Sequence, residues 1–363
     1  MTAKTRVKVA LFGLGRLGVI RARILAFHQP RIELVAVCDT KPGTGEWAAA
    51  NLPDTVQYFS DPQECLRKSG ADAVHICTAT ATHAPLILQA FDLDLHVVCE
   101  KPISVDVATT AEVIEKAASK PHLKFLVPFT RRYDKSYRTA KAMIDEGELG
   151  TIHAIETTCL DQQDPNAFFV TFSALSGGIF VDVGIHTIDV GRYLLDVKSG
   201  LKNPKKQVNR VVAMGHNAVY GDLAKYGDCD NGWGLVEFAN GKILTTYLGR
   251  TLTNGFEDTT RICGTKGHTI VTGTSNVEIR DQHGIRTRSV PDAFTFFDPT
   301  FFSDLAEFAD AVLDNKPFTC NPEDAFKAIR ICAALQHSFR TGLPVYFDDE
   351  GNPILEPSKA NGH

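Results

Sequence analysis

An imidazole stands between two carboxylates in the apolar stretch GGIFVDVGIHTIDVGRYLL (Gly177–Leu195), with Asp182, His186 and Asp189 at spacings of four and three. In a helix of 3.6 residues per turn, steps of four and seven come back to within about 40° of one face. The three residues therefore share a stripe. Ile179, Phe180, Val183, Ile185, Ile188 and Val190 fill much of the remaining surface, and a helix apolar nearly all round is a buried one. Unpaired buried charge is costly, so the polar stripe must face partners or a wet cavity. Three chemistries fit these residue types. A histidine oriented by a carboxylate can move a proton. An Asp and a His four apart can begin a metal site, but no third ligand with suitable spacing accompanies them and no metal is expected. Asp189 paired with Arg192, and His186 a satisfied core histidine, would be purely structural.

A lysine adds weight to proton transfer. Lys101 lies in EKP (Glu100–Pro102), directly after the apolar run LHVVC. Whether it serves the same chemistry depends on the elements that carry it. From Val7 the chain reads VKVALFG, then GLGRLG (Gly13–Gly18), then VIRARILAFH, then ELVAVCD ending in Asp39. Strand, glycine turn, helix, strand is the order a parallel sheet requires. Gly13 permits the tight turn, Gly15 lets a pyrophosphate approach the backbone, and Gly18 lets the helix pack on its strand. The start of that helix, with Arg16 and Leu17, offers N–H groups and a positive dipole end to phosphates. Asp39 lies 21 residues past Gly18, where a carboxylate accepts hydrogen bonds from the adenosine ribose. Its charge repels a 2′-phosphate, so NAD is the expected cofactor; Lys41 keeps NADP open. Four more strands alternate with helices to about Phe129, and ligands of such sheets sit beyond the carboxyl ends of the strands. Thr78, Ala79, Thr80, His83, Glu100 and Lys101 fall on that side. His83 can line the cofactor site or cap its helix.

After a helix in YDKSYRTAKAMIDEGELG, extended runs dominate: TIHAIETTC, NRVVAMGHNAVY, WGLVEFAN, GKILTTYLGRTL, TTRICGTKGHTIV and NVEIRD. FANGK and GTKGH read as hairpin turns, so this part is a large, mostly antiparallel open sheet. FFSDLAEFADAVLDN and PEDAFKAIRICAALQHSF read as closing helices, and Ile354–His363 as a frayed end. The fold class is an α/β Rossmann domain (a doubly wound parallel sheet) over residues 1–129, followed by an α+β domain over 130–363 for substrate and oligomerisation. A chain of 363 residues exceeds one small core, in keeping with two domains. At 44% hydrophobic and 22% charged residues, with a net charge of −5 and no basic tract, it offers nothing to nucleic acid or to an acidic membrane. MTAKTRVKVALFG lacks a cleavage pattern, and the uncharged run Ala73–Phe91 reads as strand, loop and helix. Nine cysteines without a CxxC pair suggest reduced thiols. A cytoplasmic protein is expected.

GLGRLG with Asp39, then CEKP, then GGxxxDxGxH with the trailing Asp189, resembles the glucose–fructose oxidoreductase/inositol dehydrogenase/rhizopine catabolism (Gfo/Idh/MocA) family over nearly the whole chain. RRYD (Arg131–Asp134) is similar to its inositol 2-dehydrogenase branch. Two positions depart from the pattern: Thr80 stands where an Asn is frequent, and Cys159-Leu160-Asp161 lacks an arginine of the inositol branch. The resemblance implies an NAD(P)-dependent dehydrogenase that oxidises a secondary alcohol of a cyclic, myo-inositol-like polyol bound between the domains. It also implies a homodimer or homotetramer formed through the open sheet. Mapped by motif, the catalytic set is Lys101, Asp182 and His186, with His186 as general base. Those three, with Arg131, Asp161 and Asn254, are the substrate-binding candidates; Arg131 as a surface ion pair and Asn254-Gly255 as a plain turn are the bland alternatives. Tyr133, Phe168 and Phe256 read as packing. An aldose or pyranose dehydrogenase, a biosynthetic keto-reductase and a non-catalytic dinucleotide-binding regulator are the competing functions on this fold.

Overall fold

Short apolar runs spaced by helices bury both faces only as a parallel sheet, and the first of two compact units is built that way. The computed structural model describes residues 5–198, 200–272, 278–282, 284–287 and 290–355. The first unit runs β1 (Val7–Phe12), α1 (Arg16–Phe27), β2 (Ile32–Cys38), α2 (Thr44–Asn51), β3 (Gln57–Phe59), α3 (Pro62–Lys68), β4 (Ala73–Ile76), α4 (His83–Asp92), β5 (His96–Cys99), α5 (Val107–Ala118) and β6 (Phe125–Leu126). The strands lie in the order β3-β2-β1-β4-β5-β6, all parallel. The strand order reverses beside β1, which pairs with both β2 and β4, and a ligand crevice opens at such a switch point. Every residue of β4 is buried, as are Val9 to Phe12 of β1.

The second unit opens with α6 (Lys135–Asp145), whose first turn is capped by the Asp134 carboxylate accepting from the amides of Ser136 and Tyr137. It continues through β7 (Ile152–Gln162), α7 (Phe168–Ser176), α8 (Ile179–Asp182), α9 (Gly184–Leu195), β8 (Val208–His216), β9 (Asn231–Phe238), β10 (Ile243–Leu252), β11 (Glu257–Gly264), β12 (His268–Thr272), the hairpin β13 (Glu278–Asp281) and β14 (Gly284–Thr287), and α10 (Ala293–Phe297). After α11 (Thr300–Asp314) and α12 (Pro322–Thr341) come the short strands β15 (Val345–Phe347) and β16 (Pro353–Ile354). The eight-stranded sheet is ordered β12-β11-β7-β10-β9-β8-β15-β16, antiparallel but for the β7–β10 pair. FANGK and GTKGH form the expected hairpins, closed by Phe238 N–H to Lys242 O and Gly264 N–H to Gly267 O. One face of the sheet is covered by α9 and α12: Thr187 of α9 bonds Thr246, and Ser338 of α12 accepts the Ala213 amide. The other face carries Met214, Trp233 and Leu235 exposed, with Trp233 stacked on Tyr247 at 4.6 Å.

The division into units differs from a boundary at 129 and 130. Unit one comprises Met1–Tyr133 with Asp298–Phe326, and unit two Asp134–Phe297 with Lys327–His363. Helix α11 returns to the parallel sheet because charge calls it there. Arg21 of α1 is fully buried and needs Asp304; Arg31 takes Asp310 and Asp314; Tyr133 donates to Glu307. Of the expected frayed end, Ile354 pairs with Tyr346, and 356–363 lie outside the described residues, as do 1–4 and the start of NVEIRD, 276–277. Among the described residues no helix is long and apolar enough to cross a membrane.

Candidate active site

The glycine turn after β1 is dictated by contact distances. Gly13 has φ +93°, and a Cβ there would lie 2.6 Å from the Cys77 carbonyl oxygen; a Cβ on Gly18 would lie 2.0 Å from the Gly13 carbonyl oxygen. Gly15 is the opposite case. It is exposed and has no protein atom within 4 Å of an added Cβ, which leaves open space at the start of α1. Arg16 and Leu17 follow in the first turn, whose N–H groups have no carbonyl of their own helix to bond. Asp39, just past β2, binds the turn back: Oδ2 accepts from the Leu14 amide at 2.6 Å and Oδ1 from the Lys41 amide at 2.8 Å. Each carboxylate oxygen keeps a second lone pair for a ribose hydroxyl. A bare glycine at a helix N-terminus and a fixed carboxylate beside it suit a dinucleotide.

Past β4, Thr78 and Thr80 are half-buried and Ala79 is exposed. His83 does not line this edge as an open side chain. It is 2% exposed, with Nδ1 2.8 Å from Pro102 O and Nε2 3.0 Å from Thr78 O. It therefore clamps the Thr78 loop to the EKP loop. Burial lowers its pKa, against the two carbonyls that favour a proton.

Glu100, expected on the cofactor side, points into the core. Its Oε1 lies 2.8 Å from Arg21 Nη2 and 3.6 Å from His75 Nε2, while Arg21 also bonds Asp304 at 2.8 and 2.7 Å and stacks on Phe301. Successive residues of an extended chain face opposite ways, so EKP spends its carboxylate on the interior and keeps Lys101, half-buried, for other use. Burial opposes charge on Glu100, but Arg21 and then His75 outweigh it and hold its carboxyl at about 2. Burial pushes the Asp304 carboxyl up and the His75 imidazole down. His75, Cys77 and Glu100 bring ligand atoms within 4.8 Å of one another, but Arg21 already occupies the Glu100 oxygen as the cation of the cluster.

In the second unit, Gly177 and Gly178 take φ +81° and +97° to turn α7 into α8, and a Cβ on Gly178 would lie 2.3 Å from Gln336 Oε1. Asp228 holds the start of α8, accepting the Ile179 amide at 2.8 Å and the Ser173 hydroxyl at 2.7 Å. The expected single helix is two, α8 and α9, joined at Val183. Val183 itself stays right-handed helical, so the periodicity survives the break. The polar stripe is not uniform. Asp182 and His186 are half-buried, whereas Asp189 is fully buried, and Arg192 donates to Gln207 at 3.1 Å. The apolar residues of the stretch are buried as expected.

The residue that sequence reading missed is Arg250 of β10. It is fully buried, and its Nη2 donates to Asp182 Oδ2 at 3.0 Å. A signal was present: in GKILTTYLGRTL, alternation places Arg250 on the same face as Leu244, Thr246 and Leu248, which are buried under the helices. Of the other substrate candidates, Arg131 is buried in a short 3₁₀ turn of the first unit, Thr130–Tyr133, beside Arg132, which pairs with Asp324. It is not a surface residue. Asp161 is half-buried near the end of β7, and Asn254 is exposed in the β10–β11 connection at the same end of the sheet. Tyr133 and Phe256 are packed, but Phe168 is 44% exposed and stacked on Phe172.

Two family profiles match the chain: an oxidoreductase family with NAD-binding Rossmann fold over residues 7–127, and a GFO/IDH/MocA C-terminal domain over 137–270. The chain belongs to the Gfo/Idh/MocA oxidoreductase family. It is an NAD-dependent oxidoreductase. Among its relatives, scyllo-inositol 2-dehydrogenase (NAD(+)) of Bacillus subtilis is 32% identical, over 94% of this chain and 97% of that protein. Myo-inositol 2-dehydrogenase of Thermotoga maritima is 26% identical, over 94% and 99%. A crystal structure of scyllo-inositol dehydrogenase from Lactobacillus casei with bound NAD(H) and scyllo-inositol is similar at a TM-score of 0.86, with 29% identity, over 94% of this chain and 99% of that one.

Proposed function

We propose that this oxidoreductase converts one CH–OH group of a cyclic polyol of the inositol class to a ketone. NAD, when bound, supplies the hydride acceptor. His186 takes the hydroxyl proton as the carbon loses hydride, a general-base role that imidazoles fill more often than any other side chain. Lys101 holds the same oxygen and stabilises its developing negative charge. Asp182 orients His186. Asp161 and Asn254, both accessible at one end of the sheet, read further hydroxyls. The observation that carries the reading is the pair Asp182 and His186: polar, accessible and four residues apart in an otherwise buried helical segment, with the carboxylate fixed by Arg250. Inositol relatives over nearly the full chain length support the choice of polyol.

The exposed sheet face fits self-association. Trp233, Leu235, Met214 and Tyr247 form an apolar patch on strands whose opposite face is already covered, and patches of this kind mark interaction surfaces. A second copy applied through this face gives a dimer, and pairs of dimers a tetramer.

The deciding experiment is turnover of a panel of inositols and aldoses with NAD, read as reduced-nicotinamide absorbance. Wild type turns over at least one inositol, and Lys101→Ala and His186→Ala each lose about 10²–10⁴-fold in kcat with NAD affinity kept. Near-wild-type turnover in either variant, or activity on aldoses alone, refutes the proposal.

A further inference from the structure

We propose that Arg250 is a positioning residue for this reaction: it keeps the Asp182 carboxylate, four residues before His186, charged and fixed, and governs turnover without touching substrate. The inference rests on the reading above. Arg250 is fully buried on β10, its guanidinium lying over the Phe169 ring at 4.8 Å. Its ion pairs are with Asp182 at 3.0 Å and Asp228 at 3.8 Å. The two carboxylates are not equivalent. Asp228 is buried and committed to both the Ile179 amide and the Ser173 hydroxyl. Asp182 keeps 21% of its side chain accessible. The short helix α8 is thus gripped at its first residue by Asp228 and at its last by Arg250.

Stability does not account for this arrangement. A buried ion pair is often no better than apolar packing of the same volume. Among the described residues, Nε and Nη1 of Arg250 have no hydrogen-bond partner. A fully buried guanidinium therefore spends its one hydrogen bond on the one accessible carboxylate. Its anchorage is firm, since the Arg250 amide donates to Asp230 O, and the Asp230 carboxylate collects the amides of Ala218, Val219 and Tyr220. A charged, immobile Asp182 favours the imidazolium that His186 becomes on taking a proton. Without the guanidinium, Asp182 and Asp228 would be left as neighbouring like charges.

The test is a double-mutant cycle on the full-length chain, with NAD and scyllo- or myo-inositol, alongside His186→Ala. Arg250→Met is expected to lower kcat about 100-fold and Arg250→Lys about tenfold, since lysine keeps the charge but not the planar fork. KM for inositol and Kd for NAD should each change less than about threefold. If Arg250 acts through Asp182, neither change costs more once Asp182→Asn is in place. Wild-type kcat in Arg250→Lys and Arg250→Met, or equal losses in both backgrounds, overturns the proposal. Should Arg250→Met not fold, Arg250→Lys alone closes the cycle. An active His186→Ala, or a wild type without inositol turnover, would overturn the parent reading and this proposal with it; an inactive His186→Ala beside a fully active Arg250→Met overturns this one only.

Discussion

Glu100→Gln isolates the buried charge cluster beneath the EKP loop, and the depressed Glu100 carboxyl sets the scale of its cost. Gln keeps the volume and a hydrogen-bonding oxygen but leaves Arg21, fully buried, with Asp304 as its one carboxylate partner. Glu100 is held at about 2 against an ordinary 4.5, and at ~1.4 kcal/mol per pH unit this gap is worth about 3 kcal/mol. A depressed acid stabilises the fold fully above its unfolded value, so the contribution is present above 4.5 and lost as pH falls towards 2. Asp304 runs the other way: burial raises its carboxyl, so its protonation in mild acid relieves a cost. The difference between wild type and variant removes that shared background. Urea unfolding can be followed on Trp47 of the first unit, in a Trp233→Phe background that silences the second. Glu100→Gln should be about 3 kcal/mol less stable at pH 7, and the gap should shrink below about 1 kcal/mol between pH 4.5 and 2.5. NAD affinity should hold within about threefold, because Glu100 faces Arg21 rather than the nucleotide edge. A gap independent of pH would refute the electrostatic account, and a collapse of NAD binding in a stably folded variant would refute the inward placement.

Asp39→Ala removes the carboxylate placed to accept the ribose hydroxyls, besides the acceptor of the Leu14 and Lys41 amides; at about 1.5–3 kcal/mol for a ribose hydrogen bond to a charged group, NAD affinity should drop about 10- to 100-fold, with NADP gaining relative to NAD in the same kinetic comparison. An unchanged NAD-to-NADP ratio would remove the cofactor-selecting role of that carboxylate. Trp233→Glu places charge on the exposed sheet face, so an assembly seen for wild type by sedimentation should fall apart with catalytic residues untouched; a wild type sedimenting at one chain's mass, or a variant that stays assembled, counts against pairing through that face.

What could be read from sequence is what local contacts dictate. Gly13 and Gly18 are legible because the turn gives Gly13 a positive φ and a Cβ on Gly18 would strike the Gly13 carbonyl five residues back. FANGK and GTKGH are legible because a hairpin closes on itself. Helix α11 is not, since the bond from Arg21 to Asp304 spans 283 residues and nothing near either residue announces the other. The same limit governs Glu100 and Arg250. Each is a charged residue in a buried register, and sequence shows that a partner must exist without showing which.

Those two buried charges do parallel work in separate units. In EKP, the inward carboxylate fixes the backbone from which the next residue, Lys101, projects. On β10, the inward guanidinium fixes a carboxylate four residues before His186. Lysine and histidine are both long or rotatable side chains, and the proposed proton transfer needs the groups around the reacting oxygen held to within a hydrogen-bond length. A buried ion pair adds little net stability but is expensive to break, so it makes a rigid mount for an accessible neighbour. The prediction that separates mounting from mere packing is the same in each case. Neutralising Glu100 or Arg250 should depress kcat more than ligand affinity, whereas loosened packing would weaken both together.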